Sequence, residues 1–287
     1  MESPTLLTVG HGYAAAALAA SLGPAWRRIG TVRSDQKSVV LRASGVEPVI
    51  WDDAEAVDAA IHAATHILVS IPPGEEGDPA LLRHHAALKS APRLEWVGYL
   101  STTGVYGDRQ GGWVDETSDL APVNARSARR VNAERAWIAT GLPVHIFRLA
   151  GIYGPGRSAL ERLRAGRAQR IIKPGQYFSR IHREDITQVL RASLAHPAPG
   201  RAYNLADDEP APPQDVIAYA ADLLGLPCPP DIAFEDADLS PMARSFYAES
   251  KRVSNARIKE ELGVALHFPD YRAGLAGILA AEENGTG

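Results

Sequence analysis

The stretch Leu6-Leu7-Thr8-Val9-Gly10-His11-Gly12-Tyr13-Ala14-Ala15 decides the fold. Its apolar start, Leu6 to Gly10, reads as a buried strand, and the Ala-rich run from Tyr13 to Leu22 reads as a helix. Between them stands G-x-G-x-x-A. Gly10 permits a tight turn, Gly12 lets a pyrophosphate approach the backbone with no Cβ in the way, and Ala15 lets the helix pack closely on the strand. The helix N-terminus, with the Tyr13 amide in its first turn, offers N–H groups and a partial positive charge to phosphates. The alternative at this point is a glycine turn with no ligand.

Outward from that turn the chain keeps one rhythm. Strands are predicted at 28–33, 48–51, 66–71, 96–101 and 144–149, and helices near Asp35 and at 54–64, 80–90 and 127–140. Short strands separated by helices indicate right-handed βαβ crossovers and hence an α/β, doubly wound parallel sheet of the Rossmann type. After Gly151 the pattern changes to a Gly/Pro turn, an Arg-rich helix carrying Arg162, Arg164, Arg167 and Arg170, a loop from Lys173 to Arg180 and a helix from Glu184 to Ala195. Prolines then accumulate from Pro210 to Pro230. The expected division is a nucleotide-binding domain over 1–155, to which 181–205 returns, and a smaller C-terminal substrate lobe over 156–180 and 206–287. Glu282 to Gly287 is expected to fray.

Composition narrows the function. A formal charge of −4 and 22% charged residues over 287 residues argue against a nucleic-acid binder, which carries a basic excess. The single cysteine, Cys228, excludes an internal disulfide and a cysteine zinc site, and suits a reducing cytoplasm. No metal site is expected: His84 and His85 are adjacent rather than at i and i+4, and read as a helix surface. No apolar run approaches the roughly 20 residues that span a bilayer, and Met1 to Thr8 lacks the basic flank of a signal peptide.

Residues at the ends of the next strands bear on the ligand. About 20 residues past the glycines, where an NAD-binding fold places an acid for the ribose 2′-hydroxyl, stand Arg33 and Ser34. A guanidinium beside a hydroxyl suits a 2′-phosphate, so NADP is expected over NAD, with Asp35 the nearby acid that keeps NAD open. Asp52 is a candidate for the adenine amino group, or alternatively the N-cap of the following helix. Ser70, Ile71 and Pro72 end the strand after it, at the carboxyl edge where open sheets bind ligands.

The run Leu100-Ser101-Thr102-Thr103-Gly104-Val105-Tyr106-Gly107 is followed by Val114-Asp115-Glu116-Thr117. Further on come Arg148-Leu149-Ala150-Gly151-Ile152-Tyr153-Gly154-Pro155-Gly156-Arg157, Arg180-Ile181-His182-Arg183-Glu184-Asp185-Ile186 and Tyr203-Asn204-Leu205-Ala206-Asp207-Asp208. In these the chain resembles the NAD(P)-dependent epimerase/dehydratase branch of the short-chain dehydrogenase/reductase superfamily, and within it the atypical YeeZ-like group. The resemblance covers nearly the whole chain. It implies a dinucleotide, a small polar or sugar-nucleotide-like substrate, oxidoreductase or epimerase/dehydratase chemistry and a homodimer.

The resemblance fails at one place. That family carries a Tyr-x-x-x-Lys pair about four residues before a Glu; with Glu134 as anchor, Arg126 stands at the Tyr position and Arg130 at the Lys position. A phenol with a pKa of about 10 exchanges a proton once a neighbouring cation lowers it, whereas a guanidinium stays protonated and only orients or neutralises an anion. Thr102, at the position resembling the family's catalytic Ser/Thr, keeps a hydroxyl. Tyr106 and Tyr153 are alternatives as proton donor or as packing residues, and Arg157, Arg180 and His182 as substrate contacts or as structural and surface residues. Two functions follow: an enzyme with an unconventional proton donor, or a catalytically silent NADP(H)-binding sensor.

Overall fold

The computed structural model describes residues 3–285. In chain order the elements are β1 (Thr5–Val9), α1 (Tyr13–Ser21), β2 (Arg27–Val32), α2 (Asp35–Ala43), β3 (Glu47–Ile50), α3 (Ala54–Ala63), β4 (His66–Val69) and α4 (Pro79–Ser90). Then come β5 (Trp96–Thr102), a 3-10 turn (Thr103–Tyr106), β6 (Trp113–Val114), α5 (Ala125–Ala139), β7 (Val144–Leu149), β8 (Gly151–Tyr153), α6 (Ala159–Arg164) and β9 (Arg170–Ile172). The rest is β10 (Arg180–His182), α7 (Arg183–Ala195), β11 (Ala202–Leu205), α8 (Pro213–Leu223), β12 (Asp231–Ala233), α9 (Pro241–Phe246), β13 (Arg252–Val253), α10 (Ala256–Leu262) and α11 (Tyr271–Glu283).

Seven strands form one sheet in the order β11-β7-β5-β4-β1-β2-β3. Strand order reverses beside β1: the chain runs outward through β2 and β3 on one side, then restarts at β4 on the other. The β1–β4 pair is parallel, with Val9 opposite Val69, so the segments opening at Gly10 and Ser70 leave the sheet together at a topological switch point, the place where open α/β sheets bind ligands. Every residue of β1 is buried, as a strand covered by helices on both faces requires. Leu7, Val9, Ile61, Ile67, Val69, Val97, Tyr99, Trp137 and Ile146 are the centre of its core.

The chain divides into two compact units, Met1–Thr102, Asn124–Arg148 and Thr187–Tyr203 in one and Thr103–Val123, Leu149–Ile186 and Asn204–Gly287 in the other. The segment 103–123, expected with the nucleotide domain, belongs to the second unit because Trp113 and Val114 pair with Arg252 and Val253. The second unit has its own core, in which Tyr153, Leu160, Val216, Ile217, Ala220, Tyr271, Leu275 and Ile278 meet.

Three local expectations are corrected. The Arg-rich helix stops at Arg164, because Gly166 turns the chain at φ +64° and Arg170 enters β9. His84 does not lie on a helix surface: it is 1% exposed and its Nδ1 is 2.7 Å from Asp58 Oδ1. The tail expected to fray from Glu282 is helical through Glu283, where Glu282 also pairs with Arg164; Met1, Glu2, Thr286 and Gly287 lie outside the described residues.

Candidate functional site

The glycine turn is built by close approach at one residue and open space at the next. Gly10 has φ +84°, and a Cβ on it would stand 2.6 Å from Ile71 Cγ2 and 3.0 Å from Ser70 Oγ. Its amide donates to Thr31 Oγ1 at 2.7 Å, and Ser70 Oγ donates to its carbonyl, so the turn is tied to β2 and to the end of β4. Around Gly12 a Cβ would meet nothing within 4 Å. Gly12 is also the N-cap of α1, and no side chain caps that helix. A dinucleotide pyrophosphate fits both observations: the approach is unobstructed, and a helix start without a capping side chain presents N–H donors and a positive dipole end. Ala15 is fully buried, as close packing of α1 requires.

One residue that packs this turn escaped the sequence reading. A Cβ on Gly30, in the middle of β2, would lie 2.9 Å from Leu41 Cδ2 and 3.0 Å from His11 Nδ1. His11 in turn lies 2.8 Å from Thr8 Oγ1, and burial holds its imidazole below the usual histidine range. An isolated glycine inside a strand signals such an approach.

Arg33 follows β2 and is exposed, with no hydrogen bond or ion pair to any described residue. Ser34 is the N-cap of α2, and its side chain does not cap. Asp52 is exposed and meets Arg83 NH1 at 3.5 Å, while the N-cap of α3 is Asp53, which accepts from the Ala56 amide at 3.0 Å. The capping alternative for Asp52 is thereby removed. Ser70 and Ile71 are half-buried and Pro72 is exposed.

The residues on and around α5 are fastened by buried polar bonds. Thr102 ends β5 and is half-buried. Arg130 donates from one guanidinium nitrogen to Leu100 O at 2.7 Å and to Tyr99 Oη at 3.1 Å, and its guanidinium lies 5.5 Å from the Tyr99 ring centre. Arg126, one turn earlier, is exposed. One turn later Glu134, 4% exposed, accepts from Ser101 Oγ at 2.5 Å and from Arg148 at 2.8 Å. Arg130 and Glu134 thus pin successive turns of α5 to the carboxyl end of β5. Sequence reading used Glu134 only as an alignment anchor; an acid on the buried face of a helix, opposite an Arg at a strand end, was the available signal. Asp78, 2% exposed, caps α4 through the Ala80 and Leu81 amides, and burial raises its carboxyl pKa.

The second unit holds several of the candidates in defined surroundings. Tyr153, proposed as catalytic, packs in the core; its hydroxyl donates to Asp270 O at 3.3 Å and fills the place a Cβ on Gly274 would take, 2.0 Å away. Burial raises its pKa. Tyr106 is fully buried and donates to Asn204 Oδ1 at 2.7 Å. His182, proposed to touch substrate, is 1% exposed between Tyr153 and Phe268, and burial takes its pKa down to about 4. Its neighbour Asp185 accepts the His267 and Phe268 amides at 2.7 and 3.2 Å, so this pair of residues holds the loop ahead of α11. Arg180 spends NH1 on the Phe178 and Ala211 carbonyls. Arg157 is exposed on a tight Gly154–Arg157 turn, which leads into a Ser158/Glu161 capping box. Among the described residues no group of three His, Cys, Asp or Glu is placed to hold a metal ion, and no helix is long and apolar enough to cross a membrane.

Comparison with known proteins gives a consistent set of relatives. No family model matches the chain. Protein YeeZ of Escherichia coli K12 is 30% identical over 279 residues, covering 91% of this chain and 95% of YeeZ. A solved structure of a protein of unknown function from Silicibacter pomeroyi is 55% identical with a TM-score of 0.90, covering 96% of this chain and 98% of that one. A Methylobacillus flagellatus protein assigned as an NAD-dependent epimerase/dehydratase is 27% identical with a TM-score of 0.73, covering 99% and 100%. MoeE5, solved with UDP-glucose and NAD, shares the fold at 18% identity and a TM-score of 0.77, over 99% and 100%.

Proposed function

Since this chain belongs to the YeeZ-like group of the NAD(P)-dependent epimerase/dehydratase family, we propose that it binds a dinucleotide at the Gly10–Ala15 turn, prefers NADP(H), and acts on a small polar substrate of the sugar-nucleotide kind. The observation that carries this is the pairing of a closely packed Gly10 with a Gly12 whose Cβ position faces open space at an uncapped helix start. Gly12 and the first turn of α1 would hold the diphosphate. Asp52 takes the adenine amino group, and Ser70, Ile71 and Pro72 line the same carboxyl edge. Arg33, with no partner among the described residues, and the Ser34 hydroxyl would hold the 2′-phosphate. When bound, the dinucleotide supplies a nicotinamide that exchanges hydride.

On the substrate side, Thr102 bonds a substrate oxygen through its hydroxyl and Arg126 neutralises an anionic group. Arg130, already fixed on Tyr99 and Leu100, has N–H groups left for the nicotinamide ribose. Burial of Tyr106 and Tyr153 weighs against either tyrosine as the proton donor. In the second unit Arg157 is an exposed cation, and Arg180 keeps guanidinium nitrogens that it does not spend on backbone. A fluorescence titration of the cofactor-free protein with NADPH and NADH tests the reading. Tight NADPH and weak NADH binding supports it, equal binding removes the Arg33 assignment, and binding of neither overturns the dinucleotide site. Exchange of the bound hydride with a panel of sugar nucleotides then tests turnover.

A further inference from the structure

The second unit contains a hollow of about 310 Å³ that the dinucleotide reading does not use. Trp113, Asp208, Ser254, Asn255 and Lys259 are in its wall. Trp113 is 58% exposed, an unusual place for the largest apolar side chain. It is held there by the parallel pairing of β6 with β13, in which Trp113 stands opposite Arg252. The polar residues form one cluster: Asp208 Oδ1 accepts from Lys259 Nζ and from Asn255 Nδ2, each at 2.6 Å, and Asn255 Nδ2 also donates to Ala206 O at 2.9 Å.

That bonding fixes the side chains without exhausting them. Among the described residues the second Asp208 oxygen and Asn255 Oδ1 accept nothing, and Lys259 keeps two N–H donors. The Asp208 and Lys259 side chains are each 40% exposed. An open acceptor beside an open donor matches adjacent hydroxyls, each of which donates and accepts. The Asp208 carboxylate and the Lys259 ammonium neutralise one another, and Asp207, also in the wall, is pushed by burial toward its uncharged form, so the cluster has no positive charge with which to attract a phosphate. The volume is at the small end of ligand sites, which run from roughly 300 to 1,000 Å³. It suits one ring, not a nucleotide.

We propose that this hollow is a binding site for a neutral pyranose, stacked on the Trp113 indole, with adjacent hydroxyls bonded to Asp208 and Lys259. The site is independent of the dinucleotide turn. A single sugar ring on an open surface binds with a Kd of about 1–10 mM. Saturation-transfer NMR of methyl β-D-glucopyranoside and methyl β-D-galactopyranoside, with inorganic phosphate as a third probe, tests it. At least one glycoside should bind, and Trp113→Ala and Asp208→Asn should each weaken it about tenfold or more while leaving the NADPH titration unchanged. Trp113 is exposed enough that its removal leaves the fold intact, which circular dichroism checks. Failure of both glycosides to bind, binding that neither substitution alters, or a preference for phosphate overturns the proposal.

Discussion

Gly10 and Gly12 stand two residues apart in one turn, yet alanine should do opposite things at them. At Gly10 a methyl meets Ile71 Cγ2 at 2.6 Å, and φ +84° is a left-handed conformation. The backbone cost is about 1–2 kcal/mol and overpacking adds about 1–3 kcal/mol. At about 2–4 °C per kcal/mol for a chain of this size, Gly10→Ala should lower Tm by roughly 5–15 °C. At Gly12, φ −95° suits alanine and a Cβ meets nothing within 4 Å. The gain from a stiffer unfolded chain, about 0.4–1 kcal/mol, is offset by the poorer helix N-cap that alanine makes, so Tm should move by no more than about 3 °C. The methyl nevertheless occupies the space assigned to the pyrophosphate, and NADPH affinity should fall at least about tenfold, or ~1.4 kcal/mol. Differential scanning fluorimetry and an NADPH titration on both variants read the two effects separately. A folded Gly12→Ala protein that binds NADPH as the parent does would refute the placement of the phosphates.

Other perturbations test the remaining parts. Arg33→Ala should weaken NADPH about 10- to 100-fold, the worth of charge-assisted bonds to one phosphate, and leave NADH within about twofold; isothermal titration distinguishes this from a general loss. Glu134→Leu leaves Arg148 buried without its carboxylate and should cost about 3–5 kcal/mol in denaturant unfolding; a cost under about 1 kcal/mol would mean that the pair is dispensable. Asp207 is 1% exposed, and burial pushes its pKa up to about 8 against the pull of Arg180. Its folded pKa is the higher one, so the stability it confers is present below about pH 4 and is lost as pH rises through 8. Asp207→Asn should therefore gain several degrees of Tm relative to the parent between pH 6 and pH 9; a constant difference across that range contradicts the assignment.

How far the sequence could be read depended on whether a signal was local. Strands β1, β4, β5 and β7 are buried apolar runs between helices, and the positions of these and of β2 and β3 follow from periodicity to within a residue or two. The glycine turn was legible for the same reason: one short segment carries the whole device. The partition of the chain was less legible, because 103–123 joins the second unit through the pairing of Trp113–Val114 with Arg252–Val253, a contact across some 139 residues that no window of sequence displays. The same holds for His182 and Tyr153. As residue types they suggest acid/base chemistry, and only the fold shows that they lie against Phe268 and Gly274.

The exchange of Tyr-x-x-x-Lys for Arg126 and Arg130 acquires a physical meaning only with the structure. A lysine could reach a ribose as a flexible point charge, whereas Arg130 is clamped from below by Leu100 O and Tyr99 Oη while Glu134, one turn on, holds Ser101. The helix is thus bonded to β5 at two successive turns, immediately beside Thr102. The buried carboxylate linking Ser101 to Arg148 is a poor source of stability compared with apolar packing. What such a network does supply is geometry: it holds the Thr102 end of β5 and the arginine face of α5 in one register, the arrangement a substrate oxygen and an anionic group would require.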